Sequence, residues 1–204
     1  MQVSDEKRPY RKRARAAEEE RTRLRITEAT VALHESVGPA RTTIKAVAER
    51  AGVQRATVYR HFADEDALYA ACQGHWIARH PHPDPEPWAR IDDPDARLRA
   101  ALGDLYAFYR GGASMLANIL RDEPYVAPLQ KLLPALHGYI DSVAAVLLRG
   151  RPERGRRRGR VRAVLDHAVS FATWRSLAGG GLDDDEIVDL MAGLVAAASH
   201  GKLR

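Results

Sequence analysis

Three residues constrain this chain more than any others: Ala48, Gly52 and Val58, four and six positions apart within TTIKAVAERAGVQRATVYRHF, Thr42 to Phe62. Two short helices cross steeply only where a small side chain sits at their contact. A glycine must also take the turn, and a branched apolar residue must plug the second helix into the first. Ala48, Gly52 and Val58 supply those parts in that order. The second helix is then supported from behind and open in front. Its front carries Gln54, Arg55, Thr57, Tyr59, Arg60 and His61, donors and acceptors suited to phosphates and base edges. The competing assignments are a partly buried core aromatic for Tyr59 and a solvated surface charge for Arg55.

The rest of the chain reads as helical, with periods near 3.6 and no convincing alternating strand. A first helix over Glu18 to Val37 carries Ile26, Ala29 and Leu33 on one face and ends near Gly38-Pro39. Thr42 or Thr43 caps a second, whose inner face is Ile44, Val47, Ala48 and Ala51. A third runs from Gln54 to about His61. A fourth opens on Asp64, Glu65 and Asp66, acids that suit the positive end of a helix, and runs towards His80. Prolines 81, 83, 85, 87 and 94 make His80 to Pro94 a helix-free linker. Helical patterns resume over 95–109, 114–122 and 128–148, and an arginine-rich stretch, Arg149 to Arg162, leads to a helix through Ala178. A last helix follows Gly179-Gly180-Gly181, starts at Asp183 to Glu186 and ends near His200. The expected architecture is all-α with about nine helices and no fixed internal repeat.

Charge is unevenly placed. Residues 1–63 hold 14 Lys or Arg against 8 Asp or Glu, whereas the remainder holds 18 against 19. A basic excess confined to the first third suits a polyanion-binding head on a neutral body, or else a solvated N-terminal tail. No apolar run approaches the roughly 20 residues a membrane span needs, and the charged start lacks an export signal, so the cytoplasm and no membrane partner are expected. The single cysteine, Cys72, sits in an apolar helical pattern and reads as a buried thiol.

The run AERAGV-x-x-x-T-V-Y-R-H-F, placed before a longer helical body, resembles the TetR family of transcriptional regulators, most closely over Ile26 to Leu68. The resemblance implies a homodimeric repressor that binds palindromic operator DNA and is released by a small-molecule effector. It divides the chain into a flexible basic arm (1–17), a helix-turn-helix head (18–63) and an effector-binding and dimerisation body (64–204). It implies that Thr43 contacts phosphate, that Thr57, Tyr59 and His61 clamp the DNA backbone, and that Gln54, Arg55 and Ala56 face bases. Phe62 is expected to pack the short helix. Two positions depart from the family. Gln54 stands where a capping Ser or Thr is common, and Glu65 where Lys commonly touches phosphate. The arm Lys7 to Arg15 is expected to supply part of the missing attraction.

A single head reads too few base pairs, so two must be held about one helical turn apart. Val161 to Ala178 and Glu186 to Ala198 are apolar around most of their circumference (Leu165, Ala168, Phe171, Leu177; Ile187, Leu190, Leu194, Ala197). Either they pair with their copies, as the resemblance implies, or they form the core of a monomer. The family's middle helices enclose a cavity for a hydrophobic or aromatic effector. The residues implied here are Trp76, Tyr106, Tyr109, Tyr139, Phe171 and Trp174, with Asn118, His137 and His167 as orienting polar groups. The competing reading of these aromatics is simple core.

Other classes fit less well. His80-x-His82-x-Asp84 lies among prolines with no further ligand spaced to complete a metal site. Gly179 to Gly181 lacks the strand and lysine of a phosphate loop, and no serine nucleophile stands out. No enzyme, metal or cofactor is expected. A small-molecule carrier whose head no longer binds DNA is the remaining alternative. The eight arginines of Arg149 to Arg162 are read as a mobile solvated loop outside the DNA site.

Overall fold

The computed structural model describes residues 7–200, with side chains from residue 12 onward. Every regular element among them is helical. The α-helices are α1 (Lys7–Ser36), α2 (Ile44–Ala51), α3 (Arg55–His61), α4 (Glu65–Arg79), α5 (Glu86–Ala89) and α6 (Pro94–Gly111). They continue with α7 (Ala113–Asp122), α8 (Ala127–Leu148), α9 (Gly155–Ala168), α10 (Phe171–Gly179) and α11 (Asp184–His200). Single 3-10 turns lie at Pro39–Arg41 and Glu123–Tyr125.

Eleven helices rather than about nine are present among the described residues. One extra is α5, inside the segment expected to be helix-free. Its prolines sit at Pro85, the cap, and Pro87, in the first turn, where no intrahelical hydrogen bond is lost. Another arises because the helix expected through Ala178 breaks at Val169-Ser170 into α9 and α10. Two further corrections concern basic segments. Residues 7–17, expected as a flexible arm, continue α1 towards the N-terminus, and an ion pair between Arg15 and Glu19 at 3.2 Å supports that extension. Residues 1–6 of that arm lie outside the described residues. The Arg149 to Arg162 stretch is not wholly a solvated loop. From Gly155 it belongs to α9, and Arg151 is buried, pairing with Asp95 at 3.1 Å and donating to the Leu147 and Pro94 carbonyls.

The chain forms two compact units. The first runs through Arg79 and takes in Ala117–Gln130, so it includes α4 and the end of α7, a longer stretch than the expected head. Ile26 and Ala29 of α1, Val47, Ala48 and Ala51 of α2, and Val58 and Phe62 of the α3 end are buried together with Leu68, Cys72 and Trp76 of α4. Cys72 is a buried thiol, its sulfur 3.8 Å from the Thr27 carbonyl, and burial pushes its pKa up to about 12. Asn118 donates to the carbonyls of His34 and Glu35 at 2.8 and 2.9 Å, and so ties α7 to the last turn of α1. Beside it, the Asp122 carboxylate accepts from the Ala40 amide at 2.9 Å. Gly38, at φ 92°, permits this, because a Cβ there would strike the Arg121 guanidinium and the Asp122 carboxylate.

The second unit comprises His80–Leu116 and Lys131–Arg204. Its core is built on α6, whose Leu98, Ala101, Leu102, Leu105 and Tyr106 are fully buried, with α9 and α11 packed as neighbours through Val161, Leu165, Ile187 and Val195. Arg97 is also buried, spreading its guanidinium over the carbonyls of Ile91, Asp92, Val146 and Arg149. By length and composition alone α8 is long and apolar enough to cross a membrane, with a mean hydropathy of 1.3 over its most apolar stretch. It is interrupted by Lys131 and Asp141, and it buries Leu133, Val143, Ala144 and Leu147.

Candidate nucleic-acid interface

The α2–α3 pair is held by local chemistry. Thr43, not Thr42, caps α2: its hydroxyl accepts from the Ala46 amide at 3.1 Å, while the Thr42 hydroxyl donates to the Gly38 carbonyl. Gly52 ends α2 in the left-handed region at φ 65°, where a side chain would be strained, and its amide returns to the Ala48 and Glu49 carbonyls. Gln54 stands at the cap of α3 with no side-chain hydrogen bond to the helix, as expected for a residue in place of Ser or Thr. Val58, 1% exposed, and Phe62, 2% exposed, fasten α3 from behind.

The front of α3 is open. Gln54, Arg55, Ala56, Tyr59 and Arg60 are exposed, and Thr57 is half-buried beside them. Tyr59 is 52% exposed, so it is not a core aromatic. No acidic side chain on α3 opposes Arg55 or Arg60. Thr43 is exposed at the start of α2. His61 departs from the expectation. It is half-buried, and its Nε2 is buried with no partner rather than turned outward with the others.

Arg23 of α1 is the residue that sequence reasoning missed. Its Nη1 donates to the His61 carbonyl at 2.6 Å, closing the C-terminal end of α3. Glu65, the second departure, opens α4 next to Asp64, whose carboxylate caps the helix by accepting from the Ala67 amide at 2.8 Å. The basic excess continues along the first turns of α1 into Lys12, Arg13 and Arg15, all exposed.

The residues implied for an effector divide between the two units. Trp76 and Asn118 belong to the first unit, where the Trp76 indole donates to the Glu35 carboxylate at 3.3 Å and the Asn118 amide is engaged as above. The others lie in the second. Tyr109, Phe171 and Trp174 form an aromatic cluster with centroids 5.3 to 5.9 Å apart. Tyr106 and Tyr109 are buried and donate their hydroxyls to the Ala168 and Val169 carbonyls, and the Trp174 indole donates to Asp184. Tyr139 stacks on His82 at 4.7 Å, and His82 stands edge-on to Phe108 at 5.2 Å. His137 is exposed, and His167, also exposed, meets the Thr173 hydroxyl at 3.1 Å.

Residues 26–72 match the family model described as bacterial regulatory proteins, tetR family. No curated protein sequence matches significantly. Among solved structures, the chain is similar to a TetR-like transcriptional regulator from Rhodococcus sp. RHA1. The TM-score is 0.64 at 20% identity, over 88% of this chain and 96% of that one. It is also similar to a TetR transcription regulator from Haloarcula marismortui, with a TM-score of 0.57 at 19% identity over 89% and 98% of the two chains. FadR from Bacillus subtilis, solved in complex with stearoyl-CoA, gives a TM-score of 0.54 at 18% identity over 87% and 98%.

Proposed function

We propose, from the match of residues 26–72 to the tetR family model, that the chain is a DNA-binding transcriptional regulator of that family rather than an enzyme, a homodimeric repressor of palindromic operator DNA released by a small-molecule effector. The observation that carries the DNA-reading part is the front of α3. Arg55, Tyr59 and Arg60 are exposed on a helix whose back, Val58 and Phe62, is buried. Gln54, Arg55 and Ala56 then face bases, while Thr43, Thr57, Tyr59 and Arg60 hold phosphates.

Dimerisation through the last helices is supported by what they leave uncovered. On α11, Ile187, Met191 and Val195 are buried, whereas Leu190 is 43% exposed, with Leu194 and Ala197 half-buried on the same side. An apolar stripe of this kind suits a second copy of the same helix. For the effector, the aromatic cluster of Phe171 and Trp174 and the Tyr139–His82 stack are the favoured surroundings. FadR, which shares the fold, was solved with an acyl ligand, stearoyl-CoA.

Selection of bound sequences from random DNA tests the reading. A near-palindrome with half-sites about one helical turn apart is expected, bound with an affinity that falls steeply with salt. An unrepeated half-site would refute the dimer, and no binding at low salt would refute the regulator.

A further inference from the structure

A cleft of about 410 Å³ opens inside the first unit, between α1, α2, α4 and the segment Tyr125 to Pro128. Its size falls in the range of small-molecule sites. The lining mixes polar side chains, Thr30, His34, Thr42 and Thr43 among them, with apolar ones such as Val47, Leu68, Val126 and Pro128, and Tyr125, 83% exposed, stands at the rim. One polar group in the lining is out of place. His34 is 3% exposed, yet its Nε2 is buried with no hydrogen-bond partner. Buried polar atoms are nearly always met by a partner, so an unmet one beside a cleft is a place where a ligand atom could bind.

The charge of the site narrows the ligand. Burial lowers the His34 pKa to about 4 against the opposing pull of Asp122, so the ring is neutral at physiological pH. Tyr69 lies against it at 4.8 Å between centroids. Glu65 is the one charged residue among those lining the cleft, and it repels anions.

We propose that this cleft binds a neutral small molecule, one of whose polar groups, a hydroxyl, carbonyl or ring nitrogen, meets His34 Nε2. The site is separate from the aromatic cluster of the second unit. It borders directly on DNA reading, because Thr43, the cap of α2, and Leu68 of α4 both line it. A ligand there fixes the position of α2 against α4, so its affinity and that of DNA are reciprocally linked.

The test is a methyl and imidazole nitrogen NMR titration of the full chain with phenol and indole, and with benzoate as the anionic counterpart. Saturable shifts at the Val47, Leu68 and Val126 methyls and at His34 Nε2 are expected, with benzoate roughly tenfold weaker or more. His34→Phe keeps the packing and removes the polar atom, and should weaken the neutral probes about three- to tenfold. Val126→Trp narrows the mouth without touching His34 and should abolish binding even if His34→Phe fails to fold. No saturable shift at these methyls, equal binding of benzoate, or undiminished binding to Val126→Trp would each overturn the proposal.

Discussion

Arg23 Nη1 donates to the His61 carbonyl at 2.6 Å while the same guanidinium lies 4.2 Å above the centre of the Phe62 ring. One side chain of α1 thereby holds both the last carbonyl of α3 and the aromatic that anchors it. A helix of seven residues is too short to stand alone, so this tie bears on where Arg55 to Arg60 point.

Arg23→Met keeps the apolar stem and removes the donor and the charge. Unfolding free energy should fall by about 2–4 kcal/mol, the sum of one charged hydrogen bond and a partly buried cation–π contact. Operator affinity should fall with it, since the end of α3 frays. Urea unfolding and a gel-shift titration check the pair, and wild-type values in both would show that Arg23 is only a surface charge.

Gln54 offers a prediction in the opposite direction. It occupies the cap of α3 without a side-chain bond to the helix, whereas Thr43 makes such a bond at the start of α2. Gln54→Ser should stabilise the chain by about 0.5–1 kcal/mol, and Thr43→Ala should destabilise it by about 1 kcal/mol. If Gln54 reads a base, its replacement also relaxes sequence preference at one position of the selected operator. Thermal unfolding and repeat selection separate the two effects.

The contrast between these residues shows what the sequence could disclose. Ala48, Gly52 and Val58 are legible because all three act within one short segment, where size and backbone freedom decide the geometry. Arg23 and Asn118 were not, because their partners are the main-chain carbonyls of residues 38 and 84 positions away, which carry no side-chain signature. Arg151 read as solvated for a similar reason, since only the fold brings Asp95 to it. The helix α5 was hidden because prolines break helices in their interior but are harmless in the first turn, where Pro87 lies.

The N-terminal turns of α1 are the proposed source of the backbone attraction that Glu65 cannot give. Lys12, Arg13 and Arg15 are exposed and lie on a helix, so in this proposal they act as an extension of α1 rather than as a free arm. Deleting residues 1–16 should weaken operator binding at low salt and make its salt dependence shallower. Unchanged affinity and slope in a salt titration would remove this segment from the site.

Stability should fall on mild acidification because of His34. Its pKa is lowered to about 4 by burial, against an ordinary 6.5 that applies once the chain unfolds. Between those values the unfolded state binds the proton and the folded state does not. The stability His34 permits is therefore complete above about pH 6.5 and is lost as pH falls towards 4, by on the order of 3 kcal/mol. Burial lowers the His82 pKa as well, so the diagnostic quantity is the difference between wild type and His34→Phe. Urea midpoints measured across this range should converge between the two proteins as pH falls; parallel curves would show that His34 is not the titrating group.

Leu190 separates the two readings of the last helices. It is 43% exposed on α11, next to the buried Ile187 and Met191. In a monomer, Leu190→Glu changes a surface residue and should alter stability by less than about 0.5 kcal/mol. In a dimer joined along α11, the substitution sets two carboxylates into an apolar seam, where neither finds a partner. Sedimentation should then show monomers, and operator affinity should drop by about a hundredfold or more, because two heads no longer bind as one unit. A Leu190→Glu chain that still sediments as a dimer and binds normally would place the interface elsewhere.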